Sequence, residues 1–418
     1  MRSRFLTGLW AKPDFVRLWA GTTTSTFGSL IGQIALSFTA ITFLDATAPE
    51  VAVLGASQLV PGFLVSPFAG VWVDRLRRRP IMITADLGRA AALATVPLAA
   101  VSGGLTMYQL FAVGAVTSVL SVFFAAAYQS YLPTLVERKE LLEGNAKLAG
   151  TASVAEVASF SLSGWLVQLL KAPGAVAIDA ASFVVSAYFV WRIKEPEAEI
   201  VRDPESEHFW REAKEGARVV ASDGVLRGLA VAEALQAMGE KVLTTVYLLY
   251  LVGELGFSAG VLGMIFAVGG VTSLGGAWIA NRGTLFLGRV GATIIAASFM
   301  RATGAVFMAL PSDSGWLGVL LLVLAQFVTD PFWTLHEIHD VSLRQAITPE
   351  RVQGRMFANF RLLNFGFAVL GTVLGGVLGS VIGFRETLFV AVGLMYLSSI
   401  AVFLSPVRGV KRPAEGAA

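Results

Sequence analysis

Gly70-Val-Trp-Val-Asp74-Arg75-Leu-Arg77-Arg78-Arg79-Pro80 stands between two long apolar stretches and decides how the rest of the chain is read. A small residue is followed one helical turn later by an acid, then by a dense basic cluster that a proline ends. Arginine is costly to carry through hydrocarbon and collects in cytoplasmic loops, so the stretch predicts a tight cytoplasmic turn between two membrane helices. Gly70 leaves room for a neighbouring helix to approach closely.

Composition agrees on independent grounds. Of the residues, 55% are hydrophobic and only 15% are charged, and a mean hydropathy of +0.69 is hard to hide in a water-soluble core. A spanning helix needs about 20 mostly apolar residues. Twelve such stretches lie between breaks of Gly, Pro or clustered charge: Phe15–Leu44, Val51–Val73, Ile81–Val101, Met107–Leu132, Asn145–Leu170, Gly174–Trp191, Val225–Val252, Ala259–Ala280, Leu285–Leu310, Trp316–Ser342, Arg355–Val381 and Thr387–Leu404. The chain therefore reads as an all-α membrane protein.

Lysine and arginine fall in alternate connections: Arg75 to Arg79, Arg138 with Lys139, Arg202 to Arg218, Arg282 with Arg289, and Arg351 with Arg355. The intervening loops offer little beyond Lys171 and Arg385. Both termini are then expected in the cytoplasm, with Arg2, Arg4 and Lys12 at one end and Arg408, Lys411 and Arg412 at the other. The net charge of +3 reflects this topology and implies no nucleic-acid partner. The first span is too long for the apolar core of a cleavable signal. The chain has no cysteine, so disulfides and thiolate metal ligands are excluded.

The longest polar interruption runs from Lys194 to Asp223. It opens with Glu195-Pro-Glu197-Ala-Glu199 and continues through His208, Trp210, Arg211, Lys214 and Arg218 with the spacing of an amphipathic helix. The expected organisation is an amino-terminal six-helix bundle at 1–193, a cytoplasmic linker with an amphipathic helix at 194–224, and a carboxy-terminal six-helix bundle at 225–418.

Sliding the chain against itself by about half its length tests for duplication. Arg89 then meets Arg301, Gly164 meets Gly375, and Leu132–Gly144 meets Leu343–Arg355. Gly70-x-Trp72-x-Asp74 meets Gly276-x-Trp278-x-Ala280 at a slightly shorter offset, and the second copy has lost its acid. Two six-span halves of the same sense are what a parallel repeat requires.

With these features the chain resembles the major facilitator superfamily, whose loop signature between the second and third helices is similar to Gly70, Asp74, Arg75 and Arg78. Asp14-Phe15-Val-Arg17-Leu18-Trp19, Asp86-Leu-Gly-Arg89, Leu132-Pro133-x-Leu135-Val136, and Ser342-Leu343-Arg344-Gln345 with Gly354-Arg355 resemble the branch that holds macrolide efflux proteins and enterobactin exporters. The resemblance implies alternating access, in which two pseudo-symmetric bundles rock about a midplane cavity. Asp74 at the start of the eleventh span, near Arg355, would satisfy both helix dipole and cation and would hold the cytoplasmic side shut. Drug antiporters often carry Gly-Pro in the fifth helix, whereas Val157-Ala-Ser-Phe-Ser161-Leu-Ser-Gly164 has no proline, which weakens a proton-antiport assignment.

Ionisable groups inside spans are expensive and therefore functional candidates. In the tenth span Gln326, Asp330, Trp333, Glu337, Asp340 and Arg344 recur every three or four residues, so they share a face expected to line the cavity. The seventh span sets Glu233, Gln236 and Glu240 on one face, with Lys241 adjacent. Glu156 reads as the one carboxylate deep in the amino-terminal half, and Asp179 as a structural partner near the outer end of the sixth span. Desolvation suits buried carboxylates to proton exchange, which makes Glu156, Glu240, Asp330 and Glu337 candidates for proton coupling or cation binding, with ion pairs to Lys241, Arg89 or Arg301 as the structural alternative. Thr22 to Thr26, Ser29, Gln33 and Ser37 of the first span, with Phe38, Tyr128, Tyr247 and Trp333, would make an amphipathic pocket, or would serve helix packing.

His336-Glu337-Ile-His339-Asp340 lacks the four-residue histidine spacing of zinc proteases, although His336 and Asp340 would span one turn around a cation. No phosphate-cradling loop, no cofactor motif and no nucleophile–His–acid set argues for an ATPase or an enzyme. The chain is expected to be a monomeric multi-pass transporter of the inner membrane that exports amphipathic small molecules, drugs or siderophores, with protons as the candidate coupling ion. The alternatives are a non-pumping facilitator, lipid flippase or sensor, or a metal-cation exporter.

Overall fold

The computed structural model describes residues 8–137, 140–195, 209–287 and 289–411, and among them the chain is helical with no strand. The side chains of Gly70, Asp74, Arg75, Glu156, Trp210 and Arg282 lie outside the description, as do Arg2, Arg4, Arg138, Lys139, Arg412 and the Pro196 to His208 part of the linker.

Twelve helices follow in order: α1 (Pro13–Phe38), α2 (Ala48–Arg75), α3 (Arg78–Ser102), α4 (Met107–Leu135), α5 (Leu141–Trp191), α6 (Phe209–Ser222), α7 (Gly224–Leu248), α8 (Ala259–Leu287), α9 (Val290–Ala309), α10 (Trp316–Ile347), α11 (Glu350–Val381) and α12 (Phe384–Leu404). Ten segments are long and apolar enough to cross a membrane. Two further spans complete the transmembrane set. Helix α5 breaks at Lys171, whose φ of 60° and ψ of 160° divide it into two crossings joined with almost no loop. Helix α7 has the length of a span but is loaded with Arg227, Glu233, Glu240 and Lys241. Most helices run a turn or so past their apolar cores, because flanking polar residues continue the helix into water. The eighth helix reaches Leu287, so Leu285, expected to open the ninth span, belongs to the eighth helix, and the ninth begins at Val290.

The chain divides into two compact units, Met1–Ala46 with Val53–Glu207, and Thr47–Ala52 with His208–Ala418. In the first, α1 and α3 pack on α5, and α3 packs on α4. In the second, α7 packs on α11 and α12, α9 on α12 and α10, and α10 on α8. Helices of corresponding rank thus pair in the same way. In the first unit α2 meets α4 where Gly62 N–H donates to Ser118 at 3.0 Å, and in the second α8 meets α10 at Gly269 and Gly276.

The repeat extends to single backbone hydrogen bonds. Helix α1 ends in a wide turn at Thr39–Phe43 and α7 in another at Leu249–Glu254. Ala46 N–H donates to Ala40 O at 2.9 Å, and Phe257 N–H to Leu251 O at 2.9 Å. One residue before each of those donors the chain turns left-handed, at Asp45 with φ 49° and at Gly256 with φ 73°. The offset is the same one that aligns Leu132 with Leu343.

The core of the first unit gathers Phe15, Leu18, Met82, Phe124, Tyr131 and Val190, and that of the second gathers Leu226, Ile294, Leu343, Met356, Phe360 and Val402. Large apolar side chains also cover the outer faces of the helices. Trp72 and Trp278, equivalent in the repeat, are 59% and 61% exposed, as suits residues that meet lipid. Part of the basic cluster is structural: Arg79 donates to Val190 O at 3.2 Å and to Trp191 O, capping the end of α5. Asp14 accepts the backbone N–H groups of Lys194 at 3.2 Å and Glu195 at 3.0 Å. Helix α6 packs on α11, its Gly216 pressed against the Arg355 carbonyl and Asn359.

Candidate functional site: two buried arginine centres

The arginines that align in the repeat, Arg89 on α3 and Arg301 on α9, are both 5% exposed. Arg89 pairs with Asp86, one turn earlier on its own helix and fully buried. Its guanidinium lies 4.6 Å from the ring centre of Phe124 on α4 and 4.0 Å from that of Phe183 on α5. Ser121 Oγ accepts from Nη1 at 3.3 Å. A planar, weakly hydrated cation suits such a slot, because aromatic faces replace some of the water it has lost. A second carboxylate, Asp179 on α5, is 4% exposed and within electrostatic reach of Arg89. It presses on Gly28 and Gly32 of α1, where even a methyl group would collide with it or with Ser182.

Arg301 takes its counter-charge from another helix, with Glu240 of α7 at 3.4 Å. The position equivalent to Asp86 holds Ser298, which instead shares a hydrogen bond with Ser399 of α12 at 2.9 Å. Glu233, Glu337 and Asp330 add to the field at Arg301. Asn364 of α11 donates to Glu233 at 2.5 Å. Asp330 sits with Gln326 over Gly269 of α8, and its Oδ2 is buried with no hydrogen-bond partner. Tyr247 of α7 lies within its field. Four carboxylates around one guanidinium leave this set acid-rich.

Towards the carboxy-terminal end of α10, Asp340 and Arg344 form a buried ion pair, and Arg344 lies 4.3 Å from the ring centre of Phe360 on α11. His336 Nδ1 is 3.4 Å from Ile294 O, and His339 Nδ1 is 2.8 Å from Leu335 O. Asp340 is thus committed to Arg344, which disfavours a cation between His336 and Asp340.

The expected stripe on α10 is not uniform. Gln326, Asp340 and Arg344 are buried within the second unit, Asp330 is half-buried, and Trp333 and Glu337 are exposed on it. Gln236 is buried, Lys241 half-buried, and Lys241 makes no ion pair with a described carboxylate. Gln33 is exposed on the first unit, and Tyr128 is half-buried, its ring stacked on Phe124. Hydroxyls of α1 turn largely to the helix itself: Thr24 donates to Ala20 O at 2.8 Å and Thr26 to Thr22 O at 2.8 Å. Arg78 and Arg355 are half-buried. Glu156 is not the one deep carboxylate of the amino-terminal half, because Asp86 and Asp179 are both sealed inside it. The available signal was an acid three residues before Arg89 and another within the sixth span, but their common neighbour appears only when α3 and α5 pack.

Twelve crossings, parallel repeats and charge buried between helices are matched by similarity to known proteins. The Major Facilitator Superfamily model matches residues 17–335. The chain belongs to that superfamily. A macrolide efflux protein A of Streptococcus pyogenes is 27% identical over 54% of this chain and 55% of its own length, so the chain spans about half of that relative. An uncharacterized MFS-type transporter of Sinorhizobium fredii is 26% identical over 76% of this chain and 78% of its own. Among solved structures, a bacterial homologue of the iron transporter ferroportin, in the inward-facing state, superposes with a TM-score of 0.74 at 15% identity, covering 95% of this chain and 99% of that one. A bacterial homologue of the lysosomal transporter Spinster gives a TM-score of 0.72 at 14% identity over 97% and 99%. At such identities the superpositions speak for the fold alone. The all-α, multi-span architecture agrees with that membership.

Proposed function

We propose that this transporter exports amphipathic small molecules, of the drug or siderophore kind, by proton-coupled alternating access. The carrying observation is the acid-rich set on α7, α9 and α10, where Glu233, Glu240, Asp330 and Glu337 face Arg301 on helices that are otherwise apolar. Carboxylates held at membrane depth are retained only for a purpose, and an excess of them favours cationic or hydrogen-bond-donating substrates. The efflux names of relatives in Streptococcus pyogenes and Enterococcus faecalis support the outward direction.

In this reading residues 1–193 and 225–418 are the two moving halves, joined through 194–224, and the protein works as a monomer in the inner membrane with both termini in the cytoplasm. Gly70, Asp74, Arg75 and Arg78, with Arg355, close the cytoplasmic side. Gln33, Tyr128, Gln236, Gln326 and Trp333 line the substrate path, with Glu156 and Lys241 beside it.

The test is flux of a panel of dyes and drugs in vesicles, with and without an imposed pH gradient, comparing wild type with Asp330→Asn and Glu240→Gln. Wild type should move at least one cationic amphiphile against its gradient when the vesicle interior is acidic. Both variants should lose most of that accumulation. Equal flux without any gradient would mark a facilitator instead.

A further inference from the structure

Arg89, Asp86 and Asp179 form a closed centre inside the first unit that the expectations for Glu156 and Asp330 leave unused. Its charges do not balance: two buried carboxylates face one guanidinium, and arginine cannot give up its proton to restore neutrality. Asp86 takes the direct ion pair to Arg89 through Oδ1, and its Oδ2 is buried with no hydrogen-bond partner. Asp179 has Ser182 Oγ at 3.4 Å and Arg89 only at longer range.

Among the described residues the walls carry no further cation. Helix α1 presents Gly28 and Gly32, α4 presents Ser121 and Phe124 with the titratable Tyr128 stacked behind the ring, and α5 presents Ser182, Phe183 and Ser186. A buried net charge without compensation is expensive, and the missing unit of positive charge must be small. A metal ion with its ligand shell does not fit where the Asp179 carboxylate already presses on the α1 backbone at Gly28 and Gly32.

We propose that the Asp86–Arg89–Asp179 centre holds one exchangeable proton, resting on Asp179, the carboxylate without a direct ion pair, and that this is the coupling proton of the transporter. The proton's position ties it to movement. Asp179 is wedged against α1, so the centre stays sealed only while α1 and α5 remain in close contact. Separation of the two helices would admit water, restore solvation to Asp179 and release the proton. Charge counting also states what each substitution does: replacing either carboxylate leaves one acid for one guanidinium, and no proton is then needed.

The inference rests on the transport reading, but its first test does not use transport. Infrared difference spectra of the purified full chain in detergent, recorded between acidic and alkaline buffer, report the carbonyl stretch of protonated carboxylic acids. Wild type should show one deprotonating band assignable to the centre. It should be lost in Asp179→Asn and in Asp86→Asn, and kept in Asp330→Asn. A band that survives both amino-terminal variants overturns the proposal. The side-chain amide of Asn matches the carboxylate in shape, and each variant is compared only if it elutes as wild type does on size exclusion. Should Asp179→Asn fail that check, Asp86→Asn decides alone, since it leaves α1 contacts intact. In vesicles, Asp179→Asn should retain downhill flux and lose its response to the pH gradient; a full response would refute coupling at this centre. If wild type moves no substrate yet the band behaves as described, the transport reading fails and the proton site stands.

Discussion

Arg89 illustrates what a single residue costs and returns in a membrane interior. Its ion pair, its serine and its two aromatic faces come from three helices, so removing the side chain leaves Asp86 buried without its counter-ion. Breaking a buried pair from one side costs about 3–5 kcal/mol. Arg89→Ala should therefore lower thermal stability sharply in a detergent melting assay, whereas Arg89→Lys, which keeps charge but not the planar face, should lose about 1–2 kcal/mol. Lys171 lies at the opposite extreme. Its backbone occupies a region used almost solely by glycine, and Gly383, at the equivalent break between α11 and α12, adopts φ 96° and ψ 163°. Such strain is worth about 1–3 kcal/mol in a residue with a Cβ, so Lys171→Gly should raise the melting temperature by an amount equivalent to about 1 kcal/mol or more. A fall would show that the Lys171 side chain contributes more than its backbone loses.

Between elements, close approach decides which glycines matter. Gly276 is the retained part of the degraded second signature, and the structure explains the retention: a Cβ there would strike the backbone of Pro331 on α10. Its neighbour Gly275 has nothing within 4 Å of the same atom. Gly276→Ala should separate α8 from α10 and cost about 1–3 kcal/mol. Gly275→Ala should be neutral or stabilising by up to about 1 kcal/mol, because alanine loses less backbone freedom in a helix. The two melting curves, read side by side, separate packing from helix propensity. The same logic applies to α6, whose Gly216 meets the Arg355 carbonyl. Gly216→Leu should detach α6 from α11, visible as faster proteolysis between α6 and α7 with the spans still folded.

For the whole molecule the testable quantity is how much of transport depends on the acid-rich set. Loss of an interaction made only when substrate crosses the barrier lowers rate by about tenfold for each 1.4 kcal/mol. Asp330→Asn should reduce gradient-driven flux by about tenfold or more while protein yield is unchanged, since its Oδ2 has no hydrogen-bond partner to lose. Glu240→Gln should also weaken folding, because Arg301 then keeps only its more distant carboxylates.

The apolar run lengths, the basic breaks and the half-length repeat determined the all-α membrane fold and the order of the spans, because lipid imposes a length and a polarity that each segment must satisfy by itself. The repeat also placed Arg89 and Arg301 in register. Tertiary structure alone decided what those arginines touch. Asp86 serves one from its own helix, whereas Glu240 serves the other from a neighbouring helix, and Asp179 joins the first centre across α1 and α5. Periodicity orders side chains along one helix. The partner of a buried charge is set by which helices pack together and how closely their glycines let them approach.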